Sequence, residues 1–151
     1  MRELMESRVE VSLRAVSQHD LEIFFEQQLD PDATAMAGFP ARDHNAHMAH
    51  WRKILADQSN ITRTILANGE VAGNIGSWIG DGERDIGYWI GKPFWGKGVA
   101  TAAVKQFLEF VQDRPLYAWV VRHNLGSIRV LEKAGFSSER EEDDDVIYKI
   151  A

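Results

Sequence analysis

Apolar and polar residues alternate from Val9 to Ala15, with Val9, Val11, Leu13 and Ala15 set against Glu10, Ser12 and Arg14. This period of two predicts a half-buried strand. Asp20 is placed to cap a helix carrying Leu21, Phe24, Phe25 and Leu29. The stretch from Asp30 to Arg42 holds Pro31, Gly38 and Pro40 and reads as an irregular connection. Asp43 then caps a second helix, in which Met48, Trp51 and Leu55 share one face. Ile61 to Ala67 and Glu70 to Ile79 are strand-like runs joined by Asn68-Gly69. That dipeptide supplies the positive φ values of a type I′ turn, so the pair is a hairpin. The turn Gly80-Asp81-Gly82 leads into a further strand from Arg84 to Ile90.

Ala100, Ala103, Val104, Phe107, Leu108 and Val111 form an unbroken helical stripe. Leu116 to Val121 is continuously apolar, the pattern of a strand covered on both faces. Asn124 opens a helix through Val130 and Leu131, and Gly135 ends it as a C-cap. Short strands near Phe136 and from Val146 to Ile150 complete the chain, with the acidic run Glu139 to Asp145 as a solvated hairpin between them. The sum is an α/β (α+β) fold: a mixed, mostly antiparallel central sheet flanked by helices. The helix-connected strands around residues 85–121 are expected to be parallel.

At 151 residues, 1–151 is read as a single domain. Cys is absent, which excludes disulfides, thiolate metal sites and a cysteine nucleophile. No apolar run reaches membrane-spanning length and no signal core is visible, so a cytoplasmic protein without membrane partners is expected. The net charge of −6 argues against nucleic acid as a partner. Yet Lys92 to Lys133 carries seven basic and three acidic residues, leaving the remainder strongly acidic. A basic island in an acidic chain points to a small anionic ligand. His44, His47 and His50 span too much of a helix circumference to bind one ion, and no metal is expected.

The chemistry concentrates in Gly87-Tyr88-Trp89-Ile90-Gly91-Lys92-Pro93-Phe94-Trp95-Gly96-Lys97-Gly98-Val99-Ala100-Thr101. A strand ends, a glycine-rich turn follows, and a helix begins with its free N–H groups and positive dipole end, a site for phosphate. A nucleotide P-loop needs Ser or Thr where Gly98 stands, and a dinucleotide fingerprint needs Gly or Ala where Thr101 stands.

Trp95-Gly96-Lys97-Gly98-Val99-Ala100 resembles the Gln/Arg-x-x-Gly-x-Gly/Ala turn of the GNAT family of N-acetyltransferases, departing at Trp95. The Trp-Gly-Lys-Gly form is similar to the ribosomal-protein alanine N-acetyltransferase-like branch. A second signature follows downstream, Asn124-x-x-Ser127 leading to Glu132-Lys133-Ala134-Gly135-Phe136. The resemblance implies acetyl-CoA as acetyl donor, with its pyrophosphate on the amides of Trp95, Gly96, Lys97, Gly98, Val99, Ala100 and Thr101. The pantetheine arm is expected in a splay between two parallel strands, against Trp89, Ile90 and Gly91, with Asn124 and Ser127 facing it.

An ammonium has no lone pair, so amine acetylation needs a base, and the oxyanion formed needs a donor. The family often places a Glu on the strand before the turn; Asp85, ahead of Glu83, is the corresponding candidate here, with Ser127 as the second catalytic residue. His123 is a second candidate base, and an N–H near Ile90 the candidate oxyanion donor. Relatives carry a Tyr acid where this chain has Leu131, leaving that role to Ser127, Tyr148 or water. By analogy with the family's variable first half, the loop Met36-Ala37-Gly38-Phe39-Pro40 and the aromatics Trp78, Tyr88 and Trp89 are the expected acceptor-binding region, with Phe39, Trp78 and Tyr88 the leading candidates. The implied reaction is direct acetyl transfer to the primary amine of a small molecule. A protein N-terminal amine is the alternative acceptor, and a non-catalytic coenzyme-binding module the alternative function. Homodimers are common in the family, but no residue here points to one.

Overall fold

The computed structural model describes residues 9–151. Its strands are β1 (Val11–Arg14), β2 (Ile61–Ala67), β3 (Glu70–Gly80), β4 (Glu83–Ile90), β5 (Leu116–Val121), β6 (Ser137–Glu142) and β7 (Asp145–Ile150). Its helices are α1 (Gln18–Gln27), α2 (Pro31–Ala37), α3 (His44–Ala56), α4 (Val99–Phe110) and α5 (Leu125–Lys133). The strands make one sheet in the order β1-β2-β3-β4-β5-β7-β6. Among the described residues only β4 and β5 are parallel neighbours. Asn68-Gly69 and Asp81-Gly82 both take positive φ, so two tight turns fix the β2-β3-β4 meander.

The larger core lies on the face covered by α4 and α5. Val104 and Phe107 of α4 and Leu131 of α5 pack there against Ile75, Ile86, Leu116 and Val120. On the other face, Leu21, Phe24 and Trp51 of α1 and α3 form a smaller cluster over Val71. Buried Asp20 ties that layer down. Its carboxylate accepts bonds from Arg14 at 2.6 and 2.9 Å, Thr64 Oγ at 2.7 Å and the Ser17 amide at 2.9 Å. Burial opposes ionisation, but the Arg14 bonds and the other donors outweigh it and hold the carboxyl well below the usual range. His47 is buried in the same helical layer, its Nε2 on the Leu21 carbonyl at 2.9 Å.

Three local readings are corrected. Ser17 is the N-cap of α1, and Asp20 stands three residues on, completing a capping box. The expected irregular connection contains α2, capped by Asp30, started by Pro31 and ended by Gly38 at φ 84°. Seven residues offer too little periodicity to outweigh their Pro and Gly in a sequence reading. Finally, β5 is fully covered on one face only: Leu116, Ala118 and Val120 are buried, whereas on the other face Tyr117 and Val121 are half-buried and Trp119 is 44% exposed.

Candidate active site

The parallel pairing of β4 and β5 lasts for two register pairs, Arg84 with Leu116 and Asp85 with Tyr117. Arg84 closes this end, donating to Ser77 Oγ at 3.1 Å and meeting Asp113 at 3.0 Å just before β5 begins. Beyond it β4 stays laddered to β3, and β5 to β7. The facing edges from Ile86 and Ala118 onward therefore have no partner strand. A cavity of about 1260 Å³ occupies the gap, reaching Gly98 and Ser127 on one side and Phe39 and Trp78 on the other.

On the helical side, a single 3₁₀ turn (Lys92–Phe94) carries the chain from β4 to Gly96 and Gly98, both in the left-handed region at φ 74° and 75°. None of the described residues lies within 4 Å of where a Cβ would stand on either. The amides of residues 96–101 find no acceptor among the described residues, whereas that of Trp95 donates to the Lys92 carbonyl at 3.0 Å. Open backbone, unpaired donors and the N-terminus of α4 make a cradle that fits a pyrophosphate. Gly91 donates to the Ala72 carbonyl at 2.8 Å, which fixes the alternation along β4. Trp89 and Gly91 turn their backbone toward β3; Tyr88 and Ile90 turn theirs toward the gap. This narrows the expected backbone contacts to Ile90 and adds Tyr88. The Ile90 carbonyl already accepts the Trp95 indole N–H at 2.8 Å. That contact explains how a Trp serves at the position where the turn departs from Gln/Arg.

Asn124 caps α5, its Oδ1 accepting from the Ser127 amide at 3.2 Å. The Ser127 hydroxyl bonds the Tyr88 hydroxyl at 2.6 Å. Tyr88 was grouped with the acceptor aromatics, and this is corrected: the strand's period of two puts it on the opposite face, beside Ile86 and Ile90. Burial raises its pKa, more than the Ser127 bond lowers it, so the phenol keeps its proton at neutral pH.

The other face of the gap is built from side chains. Trp78 stands opposite Asp85 in the β3–β4 register, and its ring lies over Gly87, where a Cβ would meet it at 2.7 Å. Trp89 turns its ring to this side, 6.0 Å from Phe39, which is itself 48% exposed. The Trp89 indole nitrogen is buried with no partner among the described residues. Asp85 is only 9% exposed, and its Oδ1 likewise has no partner. Burial, reinforced by Glu83 and Asp81, pushes its carboxyl up to about 6 against a weaker pull from Arg140. His123 is engaged elsewhere, its Nε2 on the Ala35 carbonyl at 2.9 Å, and helps hold α2 beside β5.

The sequence profile described as an acetyltransferase (GNAT) domain matches residues 10–137. The chain belongs to the GNAT family. YjcK of Bacillus subtilis (strain 168), named for N-acetyltransferase activity, is 43% identical over 58 residues, 36% of this chain and 32% of YjcK. YdaF of the same organism, named for ribosomal N-acetyltransferase activity, is 36% identical over 63 residues, 40% of this chain and 34% of YdaF. The matches thus span about a third of each curated relative. Among solved structures, the aminoglycoside acetyltransferase AAC(6')-Ib with ribostamycin and coenzyme A superposes with a TM-score of 0.77 at 25% identity, over 93% of this chain and 92% of that one. The spermidine N-acetyltransferase of Vibrio cholerae with coenzyme A and spermine superposes with a TM-score of 0.76 at 14% identity, over 92% of each chain. Among the described residues no helix is long and apolar enough to cross a membrane.

Within this GNAT domain, Leu131 is 3% exposed in the core, so the vacant Tyr position is filled by packing. Sequence reasoning assigned Asp85 and Ser127 separately and missed the Tyr88–Ser127 bond and the Trp95–Ile90 clip. The alternation Ile86-Gly87-Tyr88-Trp89-Ile90 carried the signal for the first, once the buried face was known.

Proposed function

We propose that this chain is an acetyl-CoA-dependent N-acetyltransferase for a cationic small-molecule amine. The observation that carries the reading is the opening of β4 from β5 between a bare-backbone helix start on one face and exposed aromatics on the other, with buried Asp85 at the still-paired end of the two strands, in a smaller cavity adjoining the gap. The amides of residues 96–101, with Lys97 beside them, hold the pyrophosphate. Tyr88 and Ile90 N–H groups, Asn124 and Ser127 line the path of the pantetheine arm. When bound, the coenzyme supplies an activated acetyl thioester.

The chain's own groups do the rest. Asp85, titrating at about 6, is ionised at neutral pH and close enough in basicity to take a proton from the incoming ammonium, directly or through water. Backbone N–H groups facing the gap donate to the developing oxyanion. The Tyr88 and Ser127 hydroxyls share a bond in which either oxygen can donate; with Tyr88 as the donor, the single Ser127 hydroxyl proton points away from Tyr88 and toward the gap. Phe39, Trp78 and Trp89 hold the acceptor, and aromatic faces favour a cation. The substrates in the names of AAC(6')-Ib and the spermidine enzyme support a polyamine-like or sugar-amine acceptor. The ribosomal name of YdaF supports the alternative, a protein N-terminal amine.

Thermal unfolding with acetyl-CoA, ATP and NAD tests the donor site first. At about a hundred times its Kd, acetyl-CoA adds about 2.7 kcal/mol, or several degrees in Tm, and the other two add nothing. A panel of polyamines, aminoglycosides, monoamines and basic-tailed peptides, assayed for thiol release, then separates the acceptor classes. Protection by ATP alone defeats the reading.

A further inference from the structure

The fold divides the basic island of the sequence. Lys92 pairs with Asp32 and Arg122 with Glu141, while Arg114 donates to the carbonyls of Leu108, Val111 and Asp113. Lys97, Lys105, Arg129 and Lys133 meet no carboxylate among the described residues. Two of these, Arg129 and Lys133, line the main cavity. They belong to a stripe of α5, formed by Gly126, Arg129, Val130 and Lys133, that lines it at i, i+3, i+4 and i+7, one face of a helix. The stripe starts bare: at Gly126 a Cβ would find only Asn124 Oδ1, at 3.9 Å. It ends in two exposed cations, and Glu132, the carboxylate of this helix, stays out of the wall. Among the described residues the one carboxylate in the cavity wall is Asp145, paired with Val121 against the end of α2. α5 packs beside α4, whose start carries the unpaired amides of residues 96–101.

We propose that Arg129 and Lys133 form a second anion subsite, for the 3′-phosphate on the ribose of the coenzyme, and that the acetyl donor is therefore the free coenzyme rather than a phosphopantetheine carried on a protein. The proposal rests on the acetyltransferase reading and names what holds the far end of the donor. The pyrophosphate joins the pantetheine arm to adenosine. With the arm in the gap and the pyrophosphate on the amides, the adenosine falls on the outer side of the cradle, where the stripe of α5 ends. A phosphate monoester has its second pKa near 6 and is mostly a dianion at neutral pH. The amides and Lys97 are taken by the pyrophosphate, so this second anion needs cations of its own. Residues four apart on a helix have Cβ atoms about 6 Å from one another, so a guanidinium fork and an ammonium can close on one phosphate group. A phosphopantetheine without the adenosine carries nothing to reach them.

Isothermal titration with coenzyme A and with its 3′-dephospho form reads the subsite without acetyl transfer. Coenzyme A is expected to bind about tenfold more tightly. Arg129→Gln lowers that ratio several-fold, Lys133→Gln somewhat less, and the double variant brings it to about one, while the Kd of the dephospho form stays within about twofold. Lys105→Gln, on α4 outside the cavity wall, removes the same charge and leaves the ratio unmoved. Equal affinity for the two forms, a ratio that the double variant does not move, or one that Lys105→Gln lowers just as far overturns the subsite. Thiol-release assays with the acetylated forms keep the two readings apart. A tenfold preference without acetylation of any amine leaves the subsite standing and overturns the acetyltransferase assignment. Turnover with equal KM for acetyl-CoA and its dephospho form does the reverse.

Discussion

The two faces of the β4–β5 gap are built by different means. Toward α4 the site is backbone: left-handed glycines, free amides at a helix start and strand-edge N–H groups. Toward α2 it is side chain: Trp78, Trp89 and Phe39 line the gap, and buried Asp85 lines a smaller cavity beside it. A backbone site asks little of residue identity, which is why Trp95 is tolerated in the turn. A side-chain site makes identity decisive, so donor recognition is generic while the acceptor is specific to this chain.

Mutations that damage one face and spare the other test this division. The largest effect is expected from Asp85→Asn, which removes the proposed base. It should lower kcat/KM for the amine by about 10²–10⁴ while the Kd for acetyl-CoA is unchanged, and the wild-type limb near pH 6 should vanish from the pH–rate profile. A parallel loss of coenzyme binding would break the comparison. Ser127→Ala should cost about tenfold in kcat, and Tyr88→Phe less, because Tyr88 acts only by directing the Ser127 proton. Gly98→Ala forces a side chain into φ 75°, at a cost of about 1–2 kcal/mol. Up to about tenfold weaker acetyl-CoA binding is expected by titration, with the acceptor KM unmoved. Trp95→Phe, losing one hydrogen bond to Ile90, should weaken the coenzyme only a few-fold.

The smallest effect is on stability, with the opposite sign. The Asp85 carboxyl is raised in the folded state, so the wild type loses stability as pH climbs from the unfolded value near 4 to about 6, then levels. Asp85→Asn should match the wild type below about pH 4. Above pH 6 it should be more stable by about 1–3 kcal/mol, read as a higher Tm. A carboxylate that costs stability and sustains turnover belongs to function.

The sequence alone determined the element order apart from α2, the β2-β3-β4 hairpins and the coenzyme turn. Periodicity, Asn-Gly and Asp-Gly turns and glycines before a helix are local signals, read within a few residues. The same local reading misjudged β5, because a continuous apolar run does not say whether both of its faces find a cover, and here Trp119 does not. It also put Tyr88 with the wrong neighbours, since period two separates the faces of a strand without saying what covers either. Tertiary structure decided that β4 parts from β5 after Asp85, that Tyr88 meets Ser127 across 39 residues, and that Asp85 is buried among Glu83, Asp81 and the tryptophans. Desolvation, strand pairing and long-range hydrogen bonds depend on which distant segments come together, and that is settled when the chain packs into three dimensions.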